Sequence, residues 1–259
     1  MAERPLSAGP TTGPVTDADD GLRTGRPRRG YLDGPTGQVH YRRLGEGGEP
    51  LLLLHQTPLS STQFDAVLPR RATLGDYASI VPAALDAMGW RDAHLVGHHS
   101  GAVLAAVHAA GGDAGATRVE PATPRLRRLV LNGFPLLGPA ERAHFATFYF
   151  GPKEPKPDGS HLLDAWQSRL RSTPGWTDLK LMHRYTVEAL YRGGSNWRMF
   201  PLVIGTDLEA VLRRIEAPTL MLTNTGEDLY ESTRRAHALR PEFFAYAELQ
   251  GGTHDIIDE

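Results

Sequence analysis

An α/β fold with a mostly parallel sheet is predicted by three observations. Apolar runs of strand length recur at residues 51–54, 93–96, 127–132, 218–223 and 243–249. The unbroken run Leu51–Leu54 suits a strand covered on both faces, and the others read as further buried strands. Stretches with helical spacing separate most of them, and strands alternating with helices imply parallel crossovers. Finally, a long helical stretch at about 138–212 lies between the third and fourth runs. An insertion there reads as a cap over the strand ends.

Taken in order, residues 1–29 mix Pro, Gly, Thr, Asp and Arg without apolar periodicity. They cannot offset the entropy of ordering and are expected to be a disordered tail, with Arg26, Arg28 and Arg29 as solvated charges. Residues 30–32 and 38–44 flank the turn signal Gly34-Pro35-Thr36-Gly37 and predict a hairpin. Leu51 to Leu54 form a buried strand running into His55-Gln56-Thr57-Pro58. Ser60 or Ser61 can cap a helix ending near Leu68, and Thr73 with Asp76 can start another that runs through Met88. The strand at 93–96 is cut off by Gly97-His98-His99-Ser100-Gly101, and the Ala-, Val- and Leu-rich segment 102–110 reads as a buried helix. Residues 111–124, rich in Gly, Ala, Thr and Pro, read as a flexible surface insertion.

Composition narrows the function. The 259 residues carry 28 Lys+Arg against 30 Asp+Glu, a net charge of −2, so no general attraction to nucleic acid or anionic membrane is expected. Hydrophobic residues at 40% allow a sizeable core. With no Cys, disulfides, thiolate metal sites and cysteine nucleophiles are excluded. No apolar run reaches the roughly 18 residues of a membrane span, and residues 1–29 lack the apolar stretch of a signal peptide. A cytoplasmic location is the expectation.

The chemistry centres on Leu95-Val96-Gly97-His98-His99-Ser100-Gly101-Ala102. A strand that turns sharply into a helix, with glycines beside one projecting residue, is a nucleophile elbow. His99 stands at the vertex, where Gly-x-Ser-x-Gly would place serine. From Tyr31 onward the chain resembles the α/β-hydrolase superfamily. The order of features agrees: hairpin, Leu-rich strand, His55-Gln56-Thr57-Pro58 in place of the oxyanion-loop His-Gly-x-Pro, elbow, helical cap, acid, histidine. The resemblance implies that residues 30–259 form one such domain. It also implies that Asp228, in Gly226-Glu227-Asp228, is the triad acid and that His254, in Gly251-Gly252-Thr253-His254, is the base.

An imidazole near neutrality can accept and return a proton, while a carboxylate on its far nitrogen fixes the tautomer and stabilises the imidazolium. The resemblance places oxyanion donors at the backbone N–H groups of Gln56 and Ser100. Glu227 is an alternative to Asp228. His55 reads as a structural hydrogen-bonding group, His98 as packing beside the elbow, and Trp166, Trp176 and Trp197 as cap core. Three mechanisms stay open at the elbow. His99 attacks or relays protons, Ser100 is a nucleophile displaced by one residue, or the elbow is inert and Asp228 with His254 does acid–base work alone.

Two departures concern the scaffold. Residues 68–77 contain no apolar run, so the internal strand that relatives place between the hairpin and the Leu51–Leu54 strand is expected to be missing. The helix that follows the last strand in relatives is expected to be missing as well. The functional expectation is hydrolysis of a small ester, lactone or related carbonyl substrate, without metal or organic cofactor, because the histidines show no paired metal-ligand spacing. The alternative is a catalytically impaired binding protein, or a lyase or oxygenase that relies on the His–Asp pair. Nothing in the sequence sets the oligomeric state.

Overall fold

The computed structural model describes residues 28–34, 37–43, 50–54, 74–112, 125–147, 154–172, 178–191 and 199–254. Within them, strands β1 (Arg28–Gly34) and β2 (Gly37–Arg43) form an antiparallel hairpin in which Tyr31 faces His40. β1 thus begins two residues inside the segment expected as tail, and the rest of that segment lies outside the described residues. Strands β3 (Leu51–Leu54), β4 (Asp92–His98), β5 (Arg125–Asn132), β6 (Thr219–Asn224) and β7 (Phe244–Leu249) make a five-stranded sheet in the order β3-β4-β5-β6-β7. Every pairing is parallel. The hairpin is a separate two-stranded sheet. Among the described residues no strand links it to β3, and no helix follows β7.

One element departs from the expected pattern. The predicted helix from Thr73 to Met88 is two helices, α1 (Leu74–Ala78) and α2 (Ile80–Ala87), which meet at Ser79. Pro82 explains the break, since it has no N–H to donate to the Ala78 carbonyl and its ring crowds that carbonyl. Val81 and Leu85 of α2 are fully buried, and α2 packs against β1. This contact attaches the hairpin to the core.

Helix α3 (Ser100–Ala109) follows the elbow, and every residue from Gly101 to Val107 is buried. Its neighbours are β3, β4 and β5 together with α1, α7 (Met199–Gly205) and α8 (Leu208–Arg213). A helix apolar on all sides needs such cover. Each of Val103, Leu104 and Val107 contributes about 2 kcal/mol by burial. Gly97 lets α3 approach β4, because a Cβ there would lie 2.5 Å from Ala102 Cα and 2.6 Å from its nitrogen.

Between β5 and β6 the chain also forms α4 (Pro139–Ala146), α5 (Ser160–Ser172) and α6 (Leu179–Tyr191). Arg142 of α4 ties the two ends of this region together, donating to Leu137 O at 3.1 Å and Ile204 O at 2.6 Å. Arg235, on α9 (Tyr230–Ala238), donates to Leu136 O and to Glu141 Oε2, at 2.5 and 2.7 Å. No helix among the described residues is long and apolar enough to cross a membrane.

Gly97→Ala forces methyl against backbone and is expected to destabilise the fold by about 3 kcal/mol in urea titration. Wild-type stability in that variant would show that the β4–α3 contact is not tightly packed.

Candidate active site

The turn from β4 into α3 holds His99 at φ 50°, ψ −114°, the one positive φ outside glycine among the described residues. A side chain in that conformation costs about 1–3 kcal/mol, so the surroundings must hold it. The His99 amide donates to Asn132 O at 2.8 Å, and the Val103 amide donates to His99 O at 3.1 Å, the first bond of α3. The vertex is thereby pinned to both β5 and α3.

Two loops at the same sheet end supply the acids and the second histidine. After β6, the Asn224 side-chain Nδ2 donates to Thr253 O at 3.0 Å, while Thr225 N donates to Leu249 O and Gly226 N to Gly251 O, each at 3.0 Å. Gly251 N returns a bond to Thr225 Oγ1 at 2.8 Å. These crosslinks set the acid loop against the histidine loop. Across them Asp228 Oδ1 accepts from His254 Nδ1 at 2.7 Å.

His99 meets this pair. Its ring centroid is 4.1 Å from that of His254, edge to face, and 4.0 Å from that of His98. Its Nε2 is bonded to Glu227 Oε1, and the other Glu227 oxygen accepts from Thr223 Oγ1 at 3.3 Å. His98 is held by the Asn132 amide at 3.0 Å. Two acid–imidazole pairs therefore lie side by side, Glu227–His99 buried and Asp228–His254 at the rim, where 56% of the Asp228 side chain is exposed.

The electrostatics separate the two acids. Burial pushes the Glu227 carboxyl up to about 8, with the Asp228 charge adding to the rise while the His254 charge and the Thr223 hydroxyl oppose it. Burial also works to raise Asp228, but the hydrogen bond from His254 and the charges of His254 and His99 outweigh it and bring that carboxyl down to about 2. His99 is held well below the usual imidazole range by burial and then by the His254 charge; Arg169, on α5, adds to the lowering and Asp228 opposes it. Near neutrality Asp228 is a carboxylate, Glu227 a carboxylic acid and His99 uncharged.

Of the residues singled out from sequence, the structure brings His99, Asp228 and His254 together, and it places Ser100 as the first residue of α3. Gln56, with His55, Trp176 and Trp197, lies outside the described residues; Trp166 is half-buried on α5. One donor atom from each of His99, Asp228 and His254 lies within 4.8 Å of the others, a spacing compatible with a cation. Sequence spacing alone does not reveal that convergence. Within it, Asp228 Oδ1 and His254 Nδ1 bond each other and His99 Nε2 bonds Glu227, so the cluster reads as two hydrogen-bonded pairs.

Glu227, expected only as a substitute for Asp228, is bonded to His99 in the structure, and the adjacent acids Glu227-Asp228 were the available signal. Gly133 gives no such signal. It sits at φ 61°, and a Cβ there would lie 2.5 Å from His99 Nε2 and overlap Glu227 Oε1 as well. Only glycine leaves room for the buried pair.

The architecture is the α/β-hydrolase fold, as comparison with solved structures shows. The enol-lactonase from Burkholderia xenovorans LB400 matches with a TM-score of 0.63 at 16% identity, over 88% of this chain and 94% of that one. A putative aryl esterase from Burkholderia cenocepacia matches at 0.62 and 14%, over 86% and 89%. A hydrolase from Pseudomonas aeruginosa PA01 matches at 0.59 and 20%, over 89% and 93%. No protein-family model and no curated protein sequence matches the chain.

Because folded Glu227 keeps a proton that the unfolded chain releases near its ordinary value of 4.5, its contribution to stability is complete below that value. It is lost as the pH rises toward about 8. From about pH 6.5, above which the unfolded chain no longer binds the protons that buried His98 and His99 refuse, to about pH 8, chemical denaturation should show a decline of about 2 kcal/mol that Glu227→Gln largely removes. An equal decline in the variant would assign the effect to another group.

Proposed function

We propose that the protein hydrolyses a small ester, lactone or related carbonyl substrate, with Asp228 and His254 as the base and His99 facing the same reacting centre. The observation that carries this reading is the convergence of the elbow vertex on a histidine already paired with a carboxylate. The enol-lactonase and aryl esterase activities named for two neighbours of the same fold point to the same substrate class.

With Nδ1–H donated to Asp228, His254 presents Nε2 as an acceptor. In the proposed step, His254 Nε2 takes a proton from water as the water oxygen bonds to the carbonyl carbon, and the carbonyl electron pair moves onto oxygen. The backbone N–H of Ser100, at the start of α3, and that of Gln56 are the oxyanion donors carried by the fold resemblance. As the intermediate collapses, the leaving alkoxide departs with the proton from His254. Water is the nucleophile because imidazole, not a hydroxyl, occupies the vertex. The chemistry uses no metal or organic cofactor.

Activity on a panel of aryl esters and lactones should fall at least about 100-fold in His254→Ala and by much less in His98→Ala, and it should survive dialysis against EDTA. Full activity in the His254 variant would refute the assignment of the base. Labelling by a fluorophosphonate that disappears in Ser100→Ala would instead establish a serine nucleophile. A folded protein with no turnover but saturable binding of panel compounds would favour a binding role.

A further inference from the structure

The geometry points to Glu227 as a positioning residue that sets the tautomer of His99, so that the elbow imidazole enters the reaction as a hydrogen-bond donor through Nδ1–H and not as a nucleophile. The inference rests on the catalytic reading of the site above and deepens it. Nε2 is committed to Glu227 Oε1, which leaves Nδ1 as the ring nitrogen able to act on a substrate. The pair is built into the fold from three directions. Gly133 leaves the space the two side chains fill, Thr223 engages the second carboxyl oxygen, and the strained turn at residue 99 delivers the ring.

Proton placement follows from the charges around the pair. Facing it are His98 on the elbow, Asp228 on the acid loop, His254 on the histidine loop and Arg169 on α5. Burial favours a neutral acid beside a neutral ring over a carboxylate beside an imidazolium. A protonated Glu227 donates O–H to Nε2, so the single ring proton of His99 resides on Nδ1. A neutral imidazole of this kind can polarise a carbonyl and hold the developing oxyanion. Loss of the Glu227 proton reverses the arrangement: the carboxylate accepts Nε2–H, Nδ1 becomes a lone pair, and an oxyanion is repelled. Glu227 therefore makes the donor state of His99 a property of neutral pH.

The test is the nitrogen-15 spectrum of the protein labelled at histidine, with the His99 signals assigned by their loss in His99→Gln. Such spectra distinguish protonated from unprotonated ring nitrogens and require no substrate. At about pH 6, His99 is expected as a neutral ring protonated at Nδ1, changing to Nε2 protonation as the pH passes about 8. In Glu227→Gln, which has no carboxyl proton to lose, that change should be absent. An Nε2-protonated or doubly protonated His99 at about pH 6 would overturn the inference, as would an unchanged transition in Glu227→Gln. Should that variant not fold, the wild-type titration decides alone, a change of tautomer supporting the inference and its absence refuting it. Failure of the hydrolytic reading would leave this spectrum unaltered, so the two can fail separately. For an active protein, kcat/KM should also fall at least about 10-fold as the pH rises past the same transition.

Discussion

The positive φ at His99 is the constraint on which the site depends. It turns β4 into α3 within one residue and raises the imidazole over the end of the sheet. That backbone state is costly, and the packing of α3 offsets the cost. With Gly101 to Val107 buried among strands and helices, α3 cannot shift to relax the turn without opening the core. Gly97 allows the helix to lie against β4, and Gly133 allows the projecting ring to meet Glu227. The site is thus a product of core packing and not of its own hydrogen bonds alone.

Around that fixed ring, two carboxyl groups adjacent in sequence have opposite characters. Asp228 is half exposed and bonded to His254, and stays ionised; Glu227 is buried against His99 and keeps its proton. The crosslinks between the loops of 224–228 and 250–254 maintain this division, since they set the depth of each carboxyl. Environment assigns the acids different roles, as it does wherever neighbouring carboxyls are held in unlike surroundings.

Much of the architecture was legible because the parallel sheet leaves a clear imprint. Leu51 to Leu54 and the runs at 93–96, 127–132, 218–223 and 243–249 all fall on β3 to β7. The lack of an apolar run at 68–77 left the pairing of the hairpin open, and its separation into a sheet of its own was not legible from the sequence. The break at Ser79 was missed because the α1–α2 segment shows continuous apolar spacing, and only Pro82 hints at the interruption. Within the site, the elbow, Asp228 and His254 could be located by chain order. The pairing of Glu227 with His99 could not, because it depends on how deeply each loop sits and on the space at Gly133, which are properties of packing between elements distant in sequence.

If His99 and His254 form one site, their removal must be non-additive. The direct measurement is kcat/KM for the best ester substrate in His99→Gln, His254→Gln and the double variant. The account predicts that the double variant is no more than about 3-fold worse than His254→Gln alone, as for groups that act as a unit. Losses that multiply would contradict it, placing the two imidazoles in independent roles.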